Sequence, residues 1–141
     1  MPDLKRNANL TPSVAWALFS PFGRLSRLPY WLGFGLTWVI IGLLVNMWLN
    51  GHEEPLTIDV VTVDNFMASN PLLPFVFLAM QWINLALIIK RCQDLGMTGF
   101  VALVAFVPLI NLAAILVLGF MPGQKEANRF GPMSNTYFRR N

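Results

Sequence analysis

Seven residues stand where this sequence could do polar chemistry: Arg24 and Arg27 ahead of one apolar run, Lys90, Arg91 and Asp94 behind a second, and Asn128 and Arg129 near the end. Cations held at one depth beside apolar segments suit anionic lipid headgroups, each gaining about 1 kcal/mol at a charged surface. These seven are the candidate residues for binding lipid or a protein partner. Asp94 is expected to pair with Arg24 or Arg27 and fix the segment Lys90 to Gly99, a charged hinge between apolar runs, against the lead-in to the first run. Catalysis has little to work with. The sequence offers no nucleophile and base at a recognisable spacing, no phosphate-cradling glycine loop and no acid–base carboxylate pair. Cys92 is the single cysteine, which excludes an internal disulfide and a multi-cysteine metal site. His52, the single histidine, sits beside Glu53 and Glu54, a set that reads as a solvated loop because it defines no coordination geometry. No enzyme activity, metal or cofactor is expected.

The elements that must position these groups are apolar. Of 141 residues 55% are hydrophobic and 12% charged, against about 25% charged in soluble chains. A hydrocarbon core of about 30 Å needs roughly 20 apolar residues in a helix, and three windows approach that length: 31–49, 72–89 and 100–121. The expected fold is therefore an all-α integral membrane bundle of about three transmembrane helices. Residues 1–10 read as a flexible segment, 11–132 as one membrane domain and 133–141 as a flexible tail. A short interfacial helix is expected over 11–20, with Thr11 as its N-cap and Trp16 and Phe19 dipping among headgroups. Residues 50–70 form a polar connection in which 57–63 could be a short strand or an extended loop.

Polar residues inside the windows set the internal contacts. Gly35, Val39, Gly42 and Asn46 recur on one helical face, where small residues let a second backbone approach. Gln81 and Asn84 share a face with Ile88 and Arg91, and Asn111 falls at the depth of Gln81, so a Gln81–Asn111 hydrogen bond is expected. An alternative function follows from the same three carboxamides: an oligomer could line a pathway with Gln81, Asn84 and Asn111, as a small-solute transporter or channel subunit. Pro108 lies near the centre of the third window, which is either a kinked span or a re-entrant hairpin.

Charge orients the chain. Lys5, Arg6, Arg24 and Arg27 precede the first window, 50–70 carries Glu53, Glu54, Asp59 and Asp64 with no Lys or Arg, and Lys90 and Arg91 close the second. The positive-inside rule places the N-terminus and the hinge in the cytoplasm. Three crossings would put the tail outside, although it carries Lys125, Arg129, Arg139 and Arg140. The first two spans dominate insertion, so three crossings are the favoured reading; a re-entrant third window would return the tail to the cytoplasm. The +3 formal charge is spread around apolar flanks rather than along a face, so nucleic acid is not an expected partner.

Three motifs resemble one family. Gly23-Arg24-Leu25-Ser26-Arg27-Leu28-Pro29-Tyr30-Trp31, then Lys90-Arg91-Cys92-Gln93-Asp94-Leu95-Gly96-Met97-Thr98-Gly99-Phe100, then Pro108-Leu109-Ile110 with Pro122-Gly123 and Asn128-Arg129-Phe130-Gly131-Pro132, stand in its order. Together they resemble the domain of unknown function 805 family of small bacterial inner-membrane proteins, over roughly residues 15–132. Family members commonly have His where this chain has Gln93 and Trp where it has Phe100. The resemblance implies a multi-pass protein of the bacterial inner (plasma) membrane and no activity. The expected function is a non-catalytic membrane protein whose basic cytoplasmic face meets anionic headgroups or a protein partner, with a homo-oligomer as a further partner.

Overall fold

The computed structural model describes residues 13–52, 57–107, 109–132 and 134. Five α-helices and one 3-10 segment follow in order: α1 (Val14–Phe19), α2 (Arg27–Asn50), α3 (Val63–Ala68), α4 (Leu73–Asp94), the 3-10 segment (Gly99–Phe106) and α5 (Ile110–Phe120). No strand occurs among the described residues. The fold is all-helical, and two of its helices, α2 and α4, are long and apolar enough to cross a membrane.

α2 starts earlier than its apolar window because Ser26 takes the N-cap position and Pro29 is tolerated in the first turn. α4 runs on past Ile89 through Asp94. Half of the expected hinge is thus the last turn of a helix, where basic side chains complement the negative end of the dipole. The two long helices are antiparallel, since Leu25 N donates to Lys90 O across their adjoining ends at 3.4 Å. Gly33 permits their close approach: a Cβ there would stand 2.7 Å from Leu87 Cδ1. Gly35 and Gly42, singled out from spacing, face open surroundings with nothing within 4 Å of an added Cβ. They join no other helix among the described residues.

Among the described residues two helices reach spanning length, because the third window is divided. Its first half is a 3-10 segment of 8 residues and its second a helix of 11. At about 2.0 Å per residue the first half rises roughly 16 Å, and at about 1.5 Å the second descends about as far. Both ends of the window lie at the hinge end, since the segment starts five residues after Asp94 while Arg91 binds the carbonyls of Leu118 and Met121. The window is therefore a hairpin with both ends near Arg91, the shape of the re-entrant alternative rather than of one long third helix. Leu109, beside its tip, has φ 68°, a backbone conformation that costs a non-glycine residue strain. Pro108 itself lies outside the described residues.

The smaller elements cover the ends. Ser13, not Thr11, caps α1, with its Oγ accepting from Trp16 N at 3.1 Å; Thr11 lies outside the described residues. Rather than lying free, α1 docks on α4. At the far end, 57–61 forms turns, and Thr62 caps α3 by accepting from Asn65 N at 3.2 Å. Of the two readings open for 57–63, strand or extended loop, no strand forms, and α3 begins at Val63 and buries Phe66 against Trp48 and Phe77. His52 Nδ1 bonds Trp48 O at 2.8 Å, and Glu53 and Glu54 lie outside the described residues.

Candidate functional site

Consecutive residues on a helix point about 100° apart, so Lys90 and Arg91 serve different neighbours. Lys90 Nζ donates to Ala17 O and, at 2.9 Å, to Trp16 O, which also accepts from Ser20 N at 3.1 Å, and it lies 4.6 Å from the Trp16 ring centroid. Arg91 does the same for α5. Its Nε donates to Leu118 O at 2.8 Å and its Nη2 to Met121 O, while Nη1 reaches Leu25 O at 3.2 Å and Asp94 Oδ2.

Asp94 holds a second guanidinium on its other oxygen. Arg24 Nε donates to Oδ1 at 3.0 Å, so the pairing expected from sequence forms with Arg24 and not with exposed Arg27. The rest of the Arg24 fork gathers the returning tail, donating to Gln124 O at 2.5 Å, Glu126 O at 2.7 Å and Gly131 O at 3.4 Å. Asn128 Nδ2 adds bonds to Gln93 O at 2.9 Å and Gln124 Oε1 at 2.8 Å. Gly123 is required beside the carboxylate, because a Cβ there would lie 2.0 Å from Asp94 Oδ2.

Three of the cations expected to face headgroups are therefore committed elsewhere. Arg24, Lys90 and Arg91 are all 0% exposed. Their donors knot the lead-in, α1, α4, α5 and the tail into one end of the bundle. The physical reason is that every helix ending there leaves carbonyls that a buried backbone must satisfy. Backbone acceptors carry no residue-type signal, so spacing alone could not reveal these partners. Tyr30 and Trp31 were equally hidden as contacts: their polar atoms donate to Ile115 O at 3.0 Å and Gly119 O at 3.2 Å. Their adjacency at a helix start, with Gly119 opposite, is the signal that was available.

Exposed cations remain around the knot. Arg27 and Lys125 have no ion-pair or hydrogen-bond partner among the described residues, and Arg129 lies with its guanidinium 4.6 Å from the Phe130 ring centroid. Arg27 and Lys125 line a cleft of about 360 Å³ with Ser26, Gln124 and Ser134, and Arg91 and Asp94 line it as well. Ser26 makes no side-chain cap bond to α2. No group of three or more His, Cys, Asp or Glu residues capable of holding a metal occurs among the described residues.

The intramembrane candidates gather elsewhere, halfway along the bundle. Gln81, Asn84 and Asn111 line one cavity of about 320 Å³. The expected Gln81–Asn111 bond is not made. Asn84 Oδ1 instead accepts from Thr37 Oγ1 at 3.2 Å, and Asn111 Oδ1 is buried without a partner among the described residues.

Among known proteins, no curated sequence and no solved structure matches this chain. The family model described as a protein of unknown function (DUF805) matches residues 18–132. That stretch contains the side chains that tie the knot, Arg24, Lys90, Arg91, Asp94 and Asn128, while the Trp16 and Ala17 carbonyls that Lys90 binds stand just before it. The chain belongs to the DUF805 family.

Proposed function

We propose that this chain is a non-catalytic, multi-pass protein of the bacterial inner membrane whose hinge-end cleft receives the phosphate of an anionic lipid headgroup. Membrane insertion is supported by the surface of its long helices: only 17% of the apolar window of α2 and 33% of that of α4 is buried. The core helix of a soluble protein would be mostly covered. With the hinge end in the cytoplasm, α2 and α4 cross and the third window is re-entrant, so the tail returns to the cytoplasmic face. This orientation places every cation named above on one side and the acidic loop on the other, in keeping with the charge rule.

The observation that carries the headgroup reading is the pair Arg27 and Lys125 across the 360 Å³ cleft. Both are uncommitted among the described residues, whereas Arg24 and Arg91 spend their donors on Asp94 and on backbone carbonyls. At about 1 kcal/mol for each, two cations supply about 2 kcal/mol, or roughly 30-fold enrichment of anionic over zwitterionic lipid. The test is to purify the protein in mild detergent and compare its retained lipid with the bulk membrane. Enrichment of phosphate-anionic lipid that is lost in the double variant Arg27→Gln/Lys125→Gln supports the reading; retained lipid that mirrors the membrane overturns it.

A further inference from the structure

The headgroup cleft leaves the carboxamide cavity unused. Its walls are apolar on most sides, with Phe34, Ile88, Phe106 and Ile115 among them, and three carboxamides converge on this single space. In a bundle without internal solvent such groups normally satisfy one another. Here they do not. The Thr37 hydroxyl is shared between Phe34 O at 2.8 Å and Asn84 Oδ1 at 3.2 Å, and among the described residues Gln81 makes no hydrogen bond and the shielded Asn111 Oδ1 has no donor. The hairpin creates this geometry: Asn111 is the second residue of α5, immediately after the strained turn at Leu109, so its position is set by the tip and not by pairing. Asn84 and Gln81 lie ten and thirteen residues before the end of α4 at Asp94, which at about 1.5 Å per residue is roughly 15–20 Å from the hinge end. The cavity has room for roughly ten waters.

We propose that this cavity binds an uncharged ligand bearing hydroxyl groups, one of which donates to Asn111 Oδ1 while another lies within reach of the Asn84 and Gln81 carboxamides. An ion is disfavoured because no charged side chain among the described residues lines the space. A purely apolar ligand would leave the Asn111 oxygen unpaired. The site lies within one chain and needs no oligomeric pore. The same hydroxyl chemistry reaches it from water as a small polyol or from the bilayer as a glycerol-bearing lipid.

The full-length protein in phosphatidylcholine nanodiscs tests this through single substitutions, with the parent chain as the blank for buried Cys92. Ala105→Cys places a thiol on the cavity wall, Leu78→Cys on the exposed apolar face of α4 and Val61→Cys in the exposed loop. Each is reacted with a small neutral water-soluble thiosulfonate, with and without glycerol, and with and without monoacylglycerol in the bilayer. The expected result is labelling at residue 105 at least ten times faster than at 78, with saturable slowing at 105 but not at 61. Slowing by free glycerol assigns a water-borne ligand, and slowing by monoacylglycerol alone a lipid-borne one. Asn111→Leu should abolish the protection. Labelling at 105 as slow as at 78, or equal effects of both additives at 105 and 61, overturns the proposal without reference to that variant. Fast labelling at 78 would instead count against the membrane reading, which separates the two failures.

Discussion

Replacing Asp94 by Asn preserves the side-chain shape and removes one negative charge from between two buried guanidinium groups. Arg24 and Arg91 have side chains 0% exposed and Asp94 1%, so neither cation can turn to solvent when its partner is lost. Removing one member of a buried ion pair costs about 3–5 kcal/mol. The carbonyl bonds of both arginines remain, which keeps the expected loss inside that range although two pairs are broken. In a chain of this size the loss corresponds to a fall in melting temperature of roughly 10–15 °C. Cys92 reports it directly: it is buried, it is the single cysteine, and it lies two residues from Asp94. A fluorogenic maleimide in mild detergent, heated with the protein, should therefore brighten earlier in Asp94→Asn than in the parent. Combining it with Arg24→Gln should cost less than the sum of the two single changes, because both remove the same interaction. Glu126→Gln, at an exposed side chain, should shift stability by no more than about 0.5 kcal/mol. A fall under about 3 °C for Asp94→Asn, or strict additivity with Arg24→Gln, would refute the reasoning that the triad holds this end together.

Other consequences follow from single contacts. Gly123→Ala should destabilise by about 1–3 kcal/mol in the same thermal assay, because its Cβ would collide with Asp94 Oδ2. Gly35→Ala, on an open face of α2, should be neutral or stabilising by up to about 1 kcal/mol. Lys90→Gln should free the end of α1 and raise protease cleavage between α1 and α2, while hydrogen exchange in the middle of α4 stays unchanged. Asn111→Leu, measured in detergent without added polyol, should raise stability or leave it unchanged, because an unpaired buried oxygen costs about 1–3 kcal/mol; a loss of that size would mean the oxygen has a protein partner after all.

Much of the bundle was legible because its signals are one-dimensional. Run length marked α2 and α4, and the absence of Lys and Arg from 50–70 marked their linked ends. The Asp94–Arg24 pair was legible as charge complementarity between two motifs. What stayed hidden depends on backbone acceptors and on depth. Lys90 and Arg91 look like headgroup cations until the end carbonyls of α1 and α5 stand opposite them. The third window has enough apolar residues to cross, and composition does not register that its first half is wound as a 3-10 segment or that Leu109 turns the chain back. Asn111 was placed at the right level but given a partner that the hairpin holds away from it. Helical spacing identified Gly35 and Gly42 as a close-approach face, yet Gly33 and Gly119 are the glycines that other side chains fill against, Leu87 on one and Trp31 on the other.

The most direct measurement asks on which side of the membrane the returning tail lies. Ala127→Cys in a Cys92→Ser background is treated in intact spheroplasts with a membrane-impermeant thiol reagent, alongside Thr57→Cys in the acidic loop. A hairpin third window predicts that residue 57 is labelled at once while residue 127 is protected until the membrane is opened. Labelling of residue 127 from outside would separate Arg24 from its tail carbonyls by the full membrane thickness and contradict the knot of Arg24, Arg91 and Asp94 on which the fold rests.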